Sequence, residues 1–195
     1  MRTLAAFSRA ESGMNARFIE SMSLPTNRDA LRKRVEQQLL DDIPLARAMQ
    51  LGISAWDGES LRMSAPLSPN VNDKGCAFGG SLVSMMTLAC WSLITLAAEQ
   101  AGEPCDIYVQ DSTVRYLQPV WGDFDAEARL ALNQSWASFF TTLHARGKAR
   151  LATHCEIRLA DGTVACALEA RFVAFRRSAT AEVTNAAQLD AARPS

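Results

Sequence analysis

The stretch SLVSMMTLACWSLITLAA, residues 81–98, decides the fold, because 18 consecutive positions carry no charged side chain. Its length approaches that of a membrane span. Five hydroxyl side chains within it, and the lack of a flanking basic cluster, favour a buried helix instead, from about Gly80 to Ala101 and ended by Gly102. A helix that is apolar on every face must be enclosed, so the other elements are expected to surround it.

After this helix, apolar and polar residues alternate with a period of two, which is typical of half-buried strands. Between 124 and 132, apolar side chains occupy the even positions, while Asp125, Glu127 and Arg129 occupy odd ones. The pattern predicts four strands, at Ile107–Leu117, Phe124–Leu132, Ala149–Leu159 and Val164–Phe175, with a helical insert at Ser135–Ala145.

The residues before the core helix predict a smaller set of elements. These are two helices, Asn27–Leu40 and Pro44–Met49, and two strands, Gly52–Trp56 and Leu61–Ala65. Asn27 is expected to cap the first helix, and Asp57-Gly58 favours a hairpin turn between the strands. The order β-β-α-β-β-β-β indicates an α+β fold, an antiparallel sheet wrapped around a central buried helix. We expect one domain over 27–176, with flexible extensions at 1–26 and 177–195.

Composition limits the partners of the protein. Twenty basic residues against 21 acidic ones give a net charge of -1, so no global field attracts nucleic acid or an anionic membrane, and we expect neither as a partner. The five cysteines lack CxxC spacing, which indicates reduced thiols in a cytoplasmic protein. With only His144 and His154 available, and neither in a zinc-binding pattern, we expect no metal.

Two segments carry a resemblance to a known family. PNVNDKGCAFGGS, residues 69–81, lies directly before the core helix, and DSTVRYLQP, residues 111–119, lies in the strand after it. Together they resemble the YiiD-type C-terminal hotdog domain, a thioesterase-type domain found alone or behind an acetyltransferase. The resemblance extends over about Asn27 to Phe175 and implies a hotdog fold, in agreement with the predicted order of elements.

Gly79-Gly80-Ser81 begins the core helix. Glycines there let a substrate approach the backbone, and the unpaired N–H groups of a first helical turn point outward at the positive end of the helix dipole. This arrangement can bind an oxyanion, which makes Gly80 and Ser81 candidate catalytic positions and Gly79 a candidate binding position. The alternative is that the glycines only allow close packing of the helix on the sheet.

Hotdog thioesterases of the phenylacetate type resemble this loop as Asn…His-Gly-Gly, followed by a helix carboxylate. Alignment on the glycines places Asn72 at the Asn position, Phe78 at the His position and Thr87 at the carboxylate position. Asn72 remains a neutral donor that could polarise a thioester carbonyl, or it could form an Asx turn. Asn70 and Phe78 are further candidates for contact with substrate.

Hydroxyl groups cluster on one arc of the core helix. Ser84 and Thr87, like Ser81, lie in the first turns and could line an acyl pocket, whereas Ser92 and Thr95 are expected to bond to carbonyls of their own helix. The same-face pair Asp111 and Arg115 offers two interpretations. Asp111 is the carboxylate that the resemblance places near the site, or it is one member of an Asp–Arg pair across neighbouring strands.

Three basic residues surround Gly147: Arg146, Lys148 and Arg150. They could hold coenzyme phosphates or an acidic carrier protein, although such a run is more often solvated.

The loss of the hydrolytic His and carboxylate favours a reaction without a base. Decarboxylation of a malonyl thioester needs stabilisation of an enolate and desolvation of a carboxylate. The resemblance implies the same activity, since family members include malonyl-ACP decarboxylases that initiate fatty-acid synthesis. Thioester hydrolysis is the alternative, and a non-catalytic acyl-thioester binding protein is the third hypothesis. No separate cofactor is expected, because the substrate carries phosphopantetheine from acyl carrier protein or coenzyme A. We expect a homodimer or a higher oligomer.

Overall fold

An antiparallel sheet of six strands packs around one long helix in the computed structural model, which describes residues 25–177 and their side chains from Arg28 onward. The helices are α1 (Pro25–Asp42), α2 (Pro44–Ala48), α3 (Gly79–Gln100) and α4 (Trp136–Arg146). The strands are β1 (Gly52–Trp56), β2 (Ser60–Ala65), β3 (Cys105–Tyr116), β4 (Phe124–Leu130), β5 (Lys148–Arg158) and β6 (Val164–Arg176). A short 3-10 turn covers Ser68–Asn70. The α+β hotdog architecture expected from the sequence is confirmed.

The helix α3 forms the centre of the core. It contacts β2, β3, β4, β5 and β6, and although its hydropathy would allow it to cross a membrane, 72% of its most apolar window is buried inside the fold. Strand alternation supplies the other half of the core. On β5, for example, Leu151, Cys155 and Ile157 are buried against the helix, while the alternate residues Ala152, His154 and Glu156 face outward.

The strand order is β1-β2-β4-β5-β6-β3, so the chain crosses from β2 through α3 to the opposite edge of the sheet. β3 pairs with β6 on one side and, among the residues that the structure describes, with no strand on the other. This edge is 12 residues long and largely exposed. A bulge interrupts its register with β6 between Val109 and Asp111.

The predicted elements are all present within two residues of their expected bounds. α1 begins at Pro25, two residues before its predicted start, so Asn27 lies inside the helix and the prediction that it caps the helix is wrong. Proline suits a first helical position because its missing N–H group has no helical partner there. The predicted extensions therefore lose Pro25, Thr26 and Arg177, and their remaining parts, 1–24 and 178–195, lie outside the described residues.

Candidate active site

The loop before α3 is anchored by Asn70. Its side chain is buried, and Nδ2 donates to the backbone oxygens of Met49 (2.9 Å) and Pro66 (2.8 Å). Its backbone oxygen also accepts from the Phe78 N–H group at 2.7 Å. Both Nδ2 hydrogens are thus committed to the protein, so Asn70 holds the loop and the helix start in place rather than presenting a donor to solvent.

Asn72 closes a small hairpin in which Val71 pairs with Ala77. Its Oδ1 accepts from the Lys74 N–H group at 2.8 Å, which is the Asx turn that the sequence left open as an alternative. Its Nδ2 donates to the Cys76 sulfur at 3.2 Å, a weak acceptor. An amide carries two Nδ2 hydrogens, so the turn leaves one donor of this half-buried side chain for a ligand.

The first turn of α3 has no side-chain cap. Phe78 is its N-cap residue, and the first helical hydrogen bond runs from the Leu82 N–H group to the Phe78 oxygen at 3.1 Å. Within the described residues, the N–H groups of Gly79, Gly80 and Ser81 donate to no protein acceptor. Three backbone donors therefore point outward at the positive end of a 22-residue helix, which is the arrangement that stabilises an oxyanion.

Two aromatic rings flank this turn. A Cβ atom at Gly80 would lie 2.8 Å from Cζ of Phe78 and closer still to its Cε1, so the Phe78 ring rests directly on Gly80. A Cβ atom at Gly79 would lie 3.4 Å from the Tyr116 ring, whose hydroxyl donates to the Gly79 oxygen at 3.2 Å. Close packing by the Phe78 ring accounts for Gly80, whereas the Tyr116 ring lies at an ordinary contact distance from Gly79.

A half-buried stripe runs along α3 below this turn. Its hydroxyl members are Ser84 and Thr87, which lie one and two turns beyond Gly80, while Ser81 is half-buried beside them. Thr95 donates to the Trp91 oxygen at 2.9 Å, as predicted. The same prediction for Ser92 is wrong, because its buried hydroxyl has no partner.

The stripe ends at a cavity of about 460 Å³ near the C-terminal end of α3. Trp91 and Thr95 line it from the helix, and Ile107 and Tyr108 line it from the start of β3. Trp91 Nε1 donates to the Ile107 oxygen at 3.3 Å, which fixes the indole at the boundary between stripe and cavity. Charged side chains, among them Arg34, Glu99 and Asp106, complete the lining, so this space is a polar cleft on the same face of α3 as the stripe.

Asp111 faces away from α3. It lies opposite Arg171 on β6, on the outer face of the sheet, and forms a salt bridge with that guanidinium at 2.6 Å. The hydrogen bonds from Arg171 lower the pKa of the Asp111 carboxyl from its usual value. The structure thus shows the Asp–Arg pair across neighbouring strands, with Arg171 as the partner, and within one chain it does not bring Asp111 to the helix start.

The basic residues Arg146, Lys148 and Arg150 are exposed near the start of β5. Arg150 Nε donates to Gln110 Oε1 at 2.8 Å, and Lys148 Nζ lies 4.7 Å from the Phe175 ring centre. Tyr116 on β3 pairs with Cys166 on β6, and Cys166 pairs with Ile157 on β5. Ile157 therefore marks the part of β5 nearest to Tyr116. Along β5 that is about 30 Å from Lys148, so one chain does not bring this cluster to its own Gly79-Gly80 turn.

A family model described as "Putative thioesterase (yiiD_Cterm)" matches residues 32–176, which includes the loop, α3 and the whole sheet. The chain belongs to this YiiD C-terminal family. Membership places it among hotdog proteins described as acting on acyl thioesters, and this coarse assignment agrees with a helix start built to hold an oxyanion.

Solved structures resemble this YiiD C-terminal domain over most of their length. A protein of unknown function from Chlorobaculum tepidum is 28% identical with a TM-score of 0.72, and the match covers 76% of this chain and 96% of that chain. A "putative thioesterase" from Shewanella oneidensis is 27% identical with a TM-score of 0.67, covering 75% and 99%. A thioesterase from Haemophilus influenzae, 16% identical with a TM-score of 0.58 over 74% and 90%, shares the fold.

Other chemistry in this YiiD C-terminal domain has little support. Among residues 25–177, no group of three His, Cys, Asp or Glu side chains is placed to hold a metal ion. Burial raises the pKa of the Cys166 thiol to about 11, so at neutral pH it remains protonated.

The sequence did not single out Tyr116, because a strand pattern shows which face a residue occupies but not which helix turn it meets.

Proposed function

We propose that this protein decarboxylates a malonyl thioester to the acetyl thioester, as an initiating step of fatty-acid synthesis. The observation that carries the proposal is the composition of the first turn of α3. It offers three outward N–H donors, and the aromatic rings of Phe78 and Tyr116 lie against its two glycines. Such a site supplies an oxyanion hole without a general base.

The reaction fits these groups. The bond between C2 and the malonyl carboxylate breaks, its electron pair forms the thioester enolate, and carbon dioxide leaves. The N–H groups of Gly79, Gly80 and Ser81, with the remaining Asn72 hydrogen, stabilise the enolate oxygen. A proton from water then adds to C2 and gives the acetyl thioester. Apolar rings beside the carboxylate favour its loss, because they replace the water around it.

Thioester hydrolysis is the second candidate, favoured by the description of the family. It would use the same N–H groups for a tetrahedral oxyanion but also requires a nucleophile or an activated water. Thioesterases of the phenylacetate type carry a His and a carboxylate in this loop and helix. At the matching positions this chain has Phe78 and Thr87. The Asp111 carboxylate faces the other side of the sheet. Decarboxylation therefore ranks first.

The unpaired edge of β3 supports a homodimer as the working unit. Two β3 edges related by a two-fold axis pair antiparallel, and the start of one β3 then lies beside the end of the other. This would bring Arg146, Lys148 and Arg150 of one protomer closer to the helix start of its partner. In that arrangement they could bind the phosphopantetheine phosphate, or an acidic carrier protein, without a separate cofactor.

The decisive experiment measures carbon dioxide and free thiol separately, with malonyl-ACP, malonyl-CoA and long-chain acyl-CoA as substrates. Carbon dioxide and acetyl thioester in equal amounts, without free thiol, are expected. Free malonate and thiol without carbon dioxide would establish a hydrolase, and no product from any substrate would establish a binding protein. Light scattering on the same preparation tests the dimer, and a fully active monomer would refute it.

The basic cluster is tested by kinetics. Joint replacement of Lys148 and Arg150 by Gln should raise KM and weaken its dependence on salt, while kcat stays nearly constant, because the charges act on binding. Lys33→Gln, an exposed charge on α1, serves as the control. An unchanged KM would show that these basic residues are solvated and do not bind the substrate.

A further inference from the structure

The ring of Phe78 occupies the space between the donors of α3 and the stripe below them. Position 80 lies on the same face of the helix as 84 and 87, because residues four and seven apart share a face. Gly80 has no side chain, and the Phe78 ring lies where its Cβ would be. The ring therefore covers the N-terminal end of the stripe that Ser84 and Thr87 continue.

The backbone of Phe78 is held while its ring is not packed in the core. Its N–H group donates to the Asn70 oxygen at 2.7 Å, and its own oxygen accepts from Leu82 at 3.1 Å. The residue nevertheless remains 55% exposed, and Tyr116, the other ring at this turn, remains 56% exposed. Aromatic side chains exposed to this degree contribute little to the core of a single chain, so core packing does not fix the Phe78 ring at the donors.

We propose that Phe78, with Tyr116 as the facing wall, is a size filter that restricts the protein to short acyl groups; the inference rests on the proposed function of the same site. An acyl group whose carbonyl oxygen is held by the Gly79–Ser81 N–H groups meets the Phe78 ring before it can follow the stripe. A malonyl or acetyl group ends before the ring. A longer alkyl chain must displace the ring to lie along the stripe toward Trp91.

The filter predicts how affinity changes with chain length. In an open apolar channel each added methylene strengthens binding about fourfold. With the ring in place, added methylenes gain no buried surface and either remain in water or push the ring aside. Affinity should therefore be flat or fall from acetyl to octanoyl in the wild type, and rise once the ring is removed.

Unreactive ligands test this without turnover. In ketone analogues of acyl-pantetheine a CH2 group replaces the thioester sulfur, so the carbonyl is kept, and the pantetheine arm is common to coenzyme A and carrier protein. Calorimetry with the acetyl, butanoyl, hexanoyl and octanoyl analogues should show octanoyl binding at least about tenfold tighter to Phe78→Ala than to wild type. Phe78→Leu should lie between them.

The matched control is Leu132→Ala, which also removes an exposed apolar side chain but lies on the loop after β4, 92% exposed. Its binding series should match the wild type. Equal octanoyl affinity in wild type and Phe78→Ala would overturn the filter, as would failure of all four analogues to bind either protein. Absence of carbon dioxide from malonyl thioesters would instead refute the proposed reaction while leaving this comparison intact.

Discussion

The two ends of the core helix α3 are built in opposite ways. At the C-terminal end the chain satisfies its own carbonyl groups. Ala101 donates to Ala97 at 3.0 Å, Gly102 to Glu99 at 3.1 Å and Glu103 to Ala98 at 2.9 Å. At the N-terminal end, Phe78 provides no side-chain cap, and three N–H groups remain unpaired within residues 25–177.

Charge separates the same two ends. The buried Glu103 carboxylate lies 2.8 Å from His144 Nε2 and 3.3 Å from Arg176 Nε, so it joins three elements beyond the helix C-terminus. The described contacts of the first turn of α3 come from the rings of Phe78 and Tyr116. Backbone donors thus satisfy the carbonyl groups at one end, whereas the N–H groups at the positive end remain available to an oxyanion. The C-terminal end contributes to stability, and in the proposed function the N-terminal end binds the substrate.

The largest expected effect is at Asn72, on the binding side of this comparison. Loss of one preorganised donor costs about 10²–10³ in rate, so Asn72→Ala should lower kcat for decarboxylation by that amount with a modest change in KM. Asn72→Asp is sharper, because the carboxylate can still accept from Lys74 and preserve the Asx turn. Its charge would repel both the enolate and the malonyl carboxylate, so kcat should fall at least as far.

Asp73→Asn is the control for Asn72, since Asp73 is exposed in the same loop and pairs with Lys74. Its kcat should stay near the wild-type value. Full decarboxylase activity in Asn72→Asp would contradict the role of the amide and move hydrolysis to first place.

Glu103→Gln should affect stability alone. The change removes the charge that pairs with His144 and Arg176, and a buried charged group that loses its partner costs about 1–3 kcal/mol. Urea unfolding should show this loss, with kcat unchanged. Glu59→Gln, an exposed residue of the β1–β2 turn, should show neither effect. A fall in kcat for Glu103→Gln that exceeds the loss of stability would erase the distinction between the two ends.

Two glycines make the comparison directly. Gly80→Ala forces the Phe78 ring aside, which is inexpensive because the clashing atoms end an exposed side chain, so stability should change by less than about 1 kcal/mol. Octanoyl binding should nevertheless rise as in Phe78→Ala. Gly102 has a φ of +70°, so Gly102→Ala should lose about 1 kcal/mol or more with unchanged binding. Calorimetry measures octanoyl binding and urea unfolding measures stability in both variants. Lower stability of Gly80→Ala together with tighter octanoyl binding by Gly102→Ala would contradict the comparison.

The smallest effect is expected at Asp111, outside both ends. Because its pKa is lowered by Arg171, the stability that this pair contributes is present at neutral pH and is lost as the pH falls through the lowered pKa. Because this pair lies on the outer face of the sheet, Asp111→Asn should leave kcat at neutral pH within about twofold of wild type. NMR titration should show the carboxyl pKa rising toward its usual value in Arg171→Gln. A large loss of kcat in Asp111→Asn would show that the outer face takes part in the reaction.

The sequence by itself determined the architecture of this protein. An uncharged run at 81–98 has one stable solution in a water-soluble fold, which is to be enclosed, and the period of two on both sides of Asp125 supplies the sheet that encloses it. The glycine pair at 79–80 located the start of the helix within one residue. These features depend on local patterns, which act over one or two turns and can be read from neighbouring residues.

Tertiary structure alone decided what surrounds the donors. Strict alternation would place Asp111 on the same face of β3 as Ile107 and Val109, toward the helix. The bulge between Val109 and Asp111 adds one residue to the strand and turns the carboxylate outward to Arg171. The position of Tyr116 beside Gly79 likewise depends on the register of β3 against β6. Register is set by contacts between distant segments, and no local pattern specifies it.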